Sequence, residues 1–113
     1  MGYEVTRLSN LLTSFTQATS TSAVQLSANA AWTALTDGQK ATLSSVQLTN
    51  NDITATIYVA FVNTVASTAY WYALPPQGIL PVDLQHLGRK PFTSLWVVAS
   101  TGTPNMTVSL FGA

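Results

Sequence analysis

Between Ala69 and Ala113 the chain repeats one pattern: a short apolar or β-branched run, then a proline, glycine or asparagine cluster that stops it (AYWYALPPQGILPVDLQHLGRKPFTSLWVVASTGTPNMTVSLFGA). Runs this short leave no room for a helix of ordinary length, so the segment can only build sheet. Thr68–Leu74 reads as a strand that Pro75 and Pro76 end by removing backbone donors, with Gly78 completing the turn. Residues 79–84 read as a short strand whose Pro81 assigns it to a sheet edge. Residues 85–93 read as a polar loop, Leu95–Ser100 as a buried strand, Gly102–Asn105 as a hairpin turn, and Met106–Phe111 as the last strand.

The same punctuation extends upstream. Ala23–Ser27 alternates, Ala31–Leu35 reads as a short strand around Trp32, and Asp37-Gly38 reads as a tight turn. Ala41, Leu43, Val46 and Leu48 mark a strand whose parity changes around Ser44-Ser45, which predicts a bulge. Asn50-Asn51-Asp52 makes a turn before Ile53–Val62, a β-branched and aromatic run expected to be one long central strand. The expectation is an all-β fold: an antiparallel β-sandwich or jelly roll of seven to eight strands, occupying residues 23–113.

Residues 1–22 differ, being rich in Ser and Thr. Leu8, Leu11, Leu12 and Phe15 follow an i, i+3, i+4, i+7 spacing that one or two amphipathic helical turns would use. The Thr and Ser run behind them favours an extended N-terminal arm, laid with these four side chains across a neighbouring subunit or scaffold, with a disordered terminus as the alternative.

Composition narrows the function classes. At 113 residues the chain makes one core, and extra burial through oligomerisation would help it. Charged residues are 7%, against roughly 25% in ordinary domains, and the formal net charge is zero. That argues against nucleic acid and against an anionic membrane, both of which need clustered Lys and Arg. A surface so poor in charge tends to associate, so partners are expected to cover much of it. No cysteine is present, so neither a disulfide framework nor a thiolate metal site is available, which fits synthesis in a reducing cytoplasm. The first ten residues lack the basic start and apolar run of a signal peptide. Gly2 and Thr6 match the short myristoylation pattern, and Asn105-Met106-Thr107 a glycosylation sequon, both too common to carry weight.

Catalytic chemistry finds little support. His86 is the single histidine and no cysteine could complete a metal site, so no cofactor or metal is expected. Asp37 and Asp52 sit beside turn residues and read as turn formers rather than as a glycosidase pair. No nucleophile, base and orienting group can be named together, so the chain is read as a non-enzyme. Arg89-Lys90 is the one basic cluster and a candidate for an acidic patch on a partner. Trp32, Trp71, Trp96, Tyr58, Tyr70 and Tyr72 could form a platform for sugar rings, although core packing accounts for Trp71 and Trp96 more simply. Strand alternation places Trp71 opposite Tyr70 and Tyr72, leaving the two tyrosines to contact a partner.

The pieces SAVQLS, LSSVQLTNNDITATIYVAF, YALPPQGILPVDLQHLG and SLWVVASTGTPNMTVSLFGA, in this order, resemble small virion proteins of tailed bacteriophages over residues 22–113. The resemblance rests on strand-and-turn patterns and implies a sandwich that decorates a capsid or sits in a tail or head-fibre assembly. It further implies a homo-oligomer, a trimer being one candidate, with major capsid or tail subunits as partners and the virion as location. It transfers no catalytic residue. The function expected is a capsid decoration protein, with a tail, baseplate or head-fibre component as the close alternative and a carbohydrate-binding module as the more distant one.

Overall fold

The computed structural model describes residues 10–83 and 94–112. Eight strands form two four-stranded antiparallel sheets packed as an all-β sandwich. Sheet A has the order β1 (Asn10–Ala18), β8 (Asn105–Gly112), β3 (Leu43–Asn50), β6 (Ile79–Asp83). Sheet B has the order β2 (Val24–Gln25), β7 (Trp96–Ala99), β4 (Ile57–Ala60), β5 (Tyr72–Leu74).

Period-two alternation builds sheet A. Val46 and Leu48 of β3 point inward with Val108 and Leu110 of β8, and all four are fully buried. Register ties them into rows: Leu48 faces Val108 and Leu80, and Val46 faces Leu110 and Val82. Sheet B contributes Ile57, Val59, Leu74 and Val97, and Leu26, Leu95 and Trp32 close the same core. Each fully buried aliphatic side chain contributes about 1.5–3 kcal/mol of transfer free energy. The register shift between Leu43 and Ser45 is the bulge that the parity change predicts. The outward rows of sheet A are hydroxyl-rich: Thr16, Thr107 and Thr49 in one, Ser14, Ser109 and Gln47 in the next. Ser14 and Ser109 hydroxyls meet at 3.1 Å.

Several expectations are corrected. Residues 10–18 are a strand of the sandwich itself, paired along β8, so the helical spacing of Leu11, Leu12 and Phe15 is not used. Leu12 and Phe15 pack against the domain's own core, while Leu11 is 58% exposed. Residues 31–35 do not form a strand: α1 (Ala30–Thr33) starts at Asn29, whose Oδ1 accepts from the Ala31 N–H at 2.8 Å. Asp37-Gly38 is likewise no tight turn. Thr36 caps α2 (Asp37–Thr42), its hydroxyl accepting from the Gln39 N–H while the Gln39 side chain accepts from the Thr36 N–H. The Thr-x-x-Gln capping box outweighs the turn preference of Asp-Gly.

The run at residues 53–62 is central in its sheet but supplies only four strand residues. Asp52 shortens it. Its carboxylate accepts from the Thr54 N–H, the Thr54 hydroxyl and the Ala55 N–H at 2.6–3.0 Å, so the backbone bonds locally instead of joining the ladder. Strand β5 is also shorter than expected, because Ala66 and Ala69 exchange backbone hydrogen bonds and close a tight turn before it. Beyond β5, the Pro75 carbonyl accepts from the Gly78 N–H at 2.9 Å, and Gln77 sits at φ 59° inside that turn. A Cβ at Gly78 would lie 2.9 Å from the Pro75 ring, so the close turn requires glycine there.

Candidate partner-binding surface

The β4–β5 margin of sheet B collects the exposed aromatic residues. Tyr58 lies in the middle of β4, between the core-facing Ile57 and Val59. The Trp71 N–H donates to the Val59 carbonyl at 2.7 Å, which extends the β4–β5 ladder by one bond and fixes the backbone under the rings. Tyr58 and Tyr70 rings pair at 5.0 Å, Phe61 and Trp71 at 4.9 Å, and Trp71 and Tyr72 at 6.1 Å, all tilted. Such contacts contribute about 0.5–1.5 kcal/mol each and hold the rings in place.

Tyr70, Trp71 and Tyr72 are 48%, 40% and 39% exposed. Together they offer roughly 250 Å² of apolar-rich surface, on the order of 6 kcal/mol gross if a partner covered it. The alternation expected for Tyr70-Trp71-Tyr72 fails because β5 begins only at Tyr72. Trp71 is therefore not a core residue. Trp96 is half-buried on the outer face of sheet B, packed against a satellite cluster of Ala60, Val65 and Val98. Trp32, at 2% exposure, is core and cannot stack on a sugar.

Beside the rings, residues 21–23, 63–67 and 98–100 border a depression of about 560 Å³. Its lining is hydroxyl, amide and aliphatic, with no ionisable side chain. Val98 on its floor is the cross-strand partner of Tyr58, so the depression and the Tyr58–Tyr70 pair share one surface. Among the described residues no three His, Cys, Asp or Glu side chains gather as a metal site would require. The Asp52 carboxyl is held below its ordinary value by the Ala55 N–H, then by the Thr54 N–H and hydroxyl, and these local bonds commit it to the loop.

The expected contact residues thus separate. Tyr70 and Tyr72 come together with Trp71, Tyr58 and Phe61. Leu11 lies on β1, the margin of sheet A opposite β6, whereas β5 joins β6 through the Pro75–Gly78 turn. Leu11 is therefore remote from the rings. Leu8, Arg89 and Lys90 lie outside the described residues, as does His86.

The residue that anchors this margin is Asn50, fully buried at the end of β3. Its Nδ2 donates to the carbonyls of Ala55 at 2.8 Å, Pro75 at 3.1 Å and Leu74 at 3.3 Å. Its Oδ1 accepts from the Asp52 N–H at 3.0 Å. One side chain thereby fastens β3 to the loop before β4 and to the end of β5. From sequence it reads as an ordinary turn asparagine; the alternation that places Val46 and Leu48 inward also points residue 50 inward, and that was the available signal.

No protein-family model, curated protein or solved structure matches the chain.

Proposed function

We propose that this chain is a non-enzymatic structural protein of a bacteriophage virion, a capsid decoration protein that binds the capsid lattice as a homo-oligomer. The observation that carries the reading is the ordered aromatic margin at Tyr70, Trp71 and Tyr72, exposed on a surface almost devoid of charge. The patch is no larger than ordinary monomers expose, so its aromatic make-up, the kind enriched at interface cores, is what supports an interaction site. Rings already held by neighbouring rings lose little freedom on binding, which favours a permanent contact. Repetition over many copies would let modest contacts reinforce a shell. The strand-and-turn resemblance to tailed-phage virion proteins points the same way. A tail, baseplate or head-fibre position uses the same module and differs only in the subunit contacted.

The test is co-sedimentation of purified protein with phage capsids, and separately with tails, assembled without it. Saturable binding to capsids is expected. Binding to tails alone would move the assignment to the tail, and binding to neither would overturn the virion reading.

One observation favours a second reading, a carbohydrate-binding module. The Tyr58–Tyr70 pair adjoins a depression lined by hydroxyls and an amide, which suits a neutral sugar. Glycan-array binding that Tyr70→Ala abolishes would establish it, and no binding to any glycan would remove it.

A further inference from the structure

A sandwich of two four-stranded sheets has four strand edges, and three of these are blunted. In sheet B, β2 is two residues long and β5 three, too short to template another strand. In sheet A, β6 carries Pro81 mid-strand, where an N–H is missing, and ends on Asp83. Among the described residues the fourth edge, β1, has none of these protections. Its nine residues, NLLTSFTQA, include no charge and no proline. A bulge between Leu11 and Thr13 interrupts its start, but from Thr13 to Ala18 its pairing with β8 is regular. The amide of Asn29, the N-cap of α1, donates to the Gln17 side-chain oxygen at 2.7 Å and so bounds the open stretch at one end.

We infer that β1 is a self-association edge, pairing antiparallel with β1 of a second copy to join two A sheets into one of eight strands. A second copy is the occupant because it presents the same uncharged edge, and a two-fold axis normal to the sheet pairs that edge with itself. Such an axis keeps inward residues opposite inward residues, which restricts the register to like parity. Centring the pair on Phe15, the middle of the Thr13–Gln17 stretch, sets Phe15 opposite its copy on the core side. Ser14 then faces Thr16 of the other copy on the outer side, and Thr13 faces Gln17. This join closes as a dimer, so any higher symmetry would use other faces. It does not depend on the virion reading, because the test needs only the purified chain.

Ser14 and Thr16 are exposed, so both can be replaced without disturbing the core. Sedimentation equilibrium of the full chain at ~100 µM should give a dimer. Ser14→Lys with Thr16→Lys sets like charges opposite each other twice and should weaken dimerisation roughly tenfold or more. Ser14→Lys with Thr16→Glu sets opposite charges there and should retain the dimer. The chain has no cysteine, so Ser14→Cys with Thr16→Cys should give an interchain disulfide under mild oxidation, whereas Asp83→Cys on β6 should not. Far-UV circular dichroism confirms folding of each variant. A monomeric full chain, a dimer indifferent to both charge variants, or crosslinking only through Asp83→Cys would each overturn the inference.

Discussion

Replacing Asn50 by alanine should be the most damaging polar substitution in the described part of the molecule. The side chain is fully buried and has four partners, all backbone groups. Its two amide hydrogens can fully satisfy only two of the three carbonyls at once, and its oxygen satisfies one N–H. The equivalent of three hydrogen bonds is therefore lost. The Pro75 carbonyl keeps the Gly78 N–H, whereas the Ala55 and Leu74 carbonyls and the Asp52 N–H each lose this partner, at about 1–3 kcal/mol for a group left unpaired. Water entering the vacated space recovers part of that, so we expect about 3–4 kcal/mol, a large share of the roughly 5–15 kcal/mol typical of domains. In urea, with a slope of about 1.5 kcal/mol/M, the midpoint should fall by about 2 M at unchanged slope. Asn50→Asp should be at least as harmful, since it exchanges the donor for an acceptor facing three carbonyls. Asn51→Ala, which removes only an exposed 2.9 Å bond to the Thr107 hydroxyl, should cost at most about 0.5 kcal/mol. A loss below about 1 kcal/mol for Asn50→Ala would refute the role given to this residue.

Three further predictions concern other links in the fold. The Asp52 carboxyl is lowered in the folded chain, so its stabilisation is present above the unfolded value of about 3.9 and is lost as pH falls through the lower folded value. Thermal melts between roughly pH 5 and pH 2 should therefore decline less steeply for Asp52→Asn than for wild type, and parallel declines would contradict the assignment. Leu48→Ala, in the row with Val108 and Leu80, should cost about 2–5 kcal/mol by urea titration, whereas Thr49→Ala on the outer face should cost at most about 0.5. Gln77→Gly should raise the urea midpoint slightly. Relief of roughly 1–2 kcal/mol at φ 59° exceeds the roughly 0.5–1 kcal/mol of added chain entropy, and a lowered midpoint would show that the Gln77 side chain compensates for its backbone.

Sheet A was the legible part of the fold. Val46, Leu48, Val108 and Leu110 alternate with polar residues, Pro81 marks an edge strand, and the parity change at Ser44 marks the bulge. The sequence pattern misleads where a side chain bonds the backbone locally. Asp52 and Asn50 convert the first four residues of the Ile53–Val62 run into a loop, and nothing in its β-branched composition reveals that. The two helices carried readable caps at Asn29 and Thr36, but both are too short to show a helical period. Tyr70 and Tyr72 could be picked out as exposed aromatic residues, whereas Trp71 could not. Placing Trp71 requires knowing that the strand starts at Tyr72 rather than at Thr68, which the bridge at Ala66 and Ala69 decides.

On the reading proposed above, the ring margin at β4–β5 binds a partner within a particle. Its most direct test is the occupancy, by electron microscopy, of capsids assembled without the protein and then mixed with it. Wild-type protein should occupy regular lattice positions, and a folded Tyr70→Ala, Trp71→Ala, Tyr72→Ala variant should leave them empty. Equal occupancy by the variant, or no occupancy by wild type, would contradict the account.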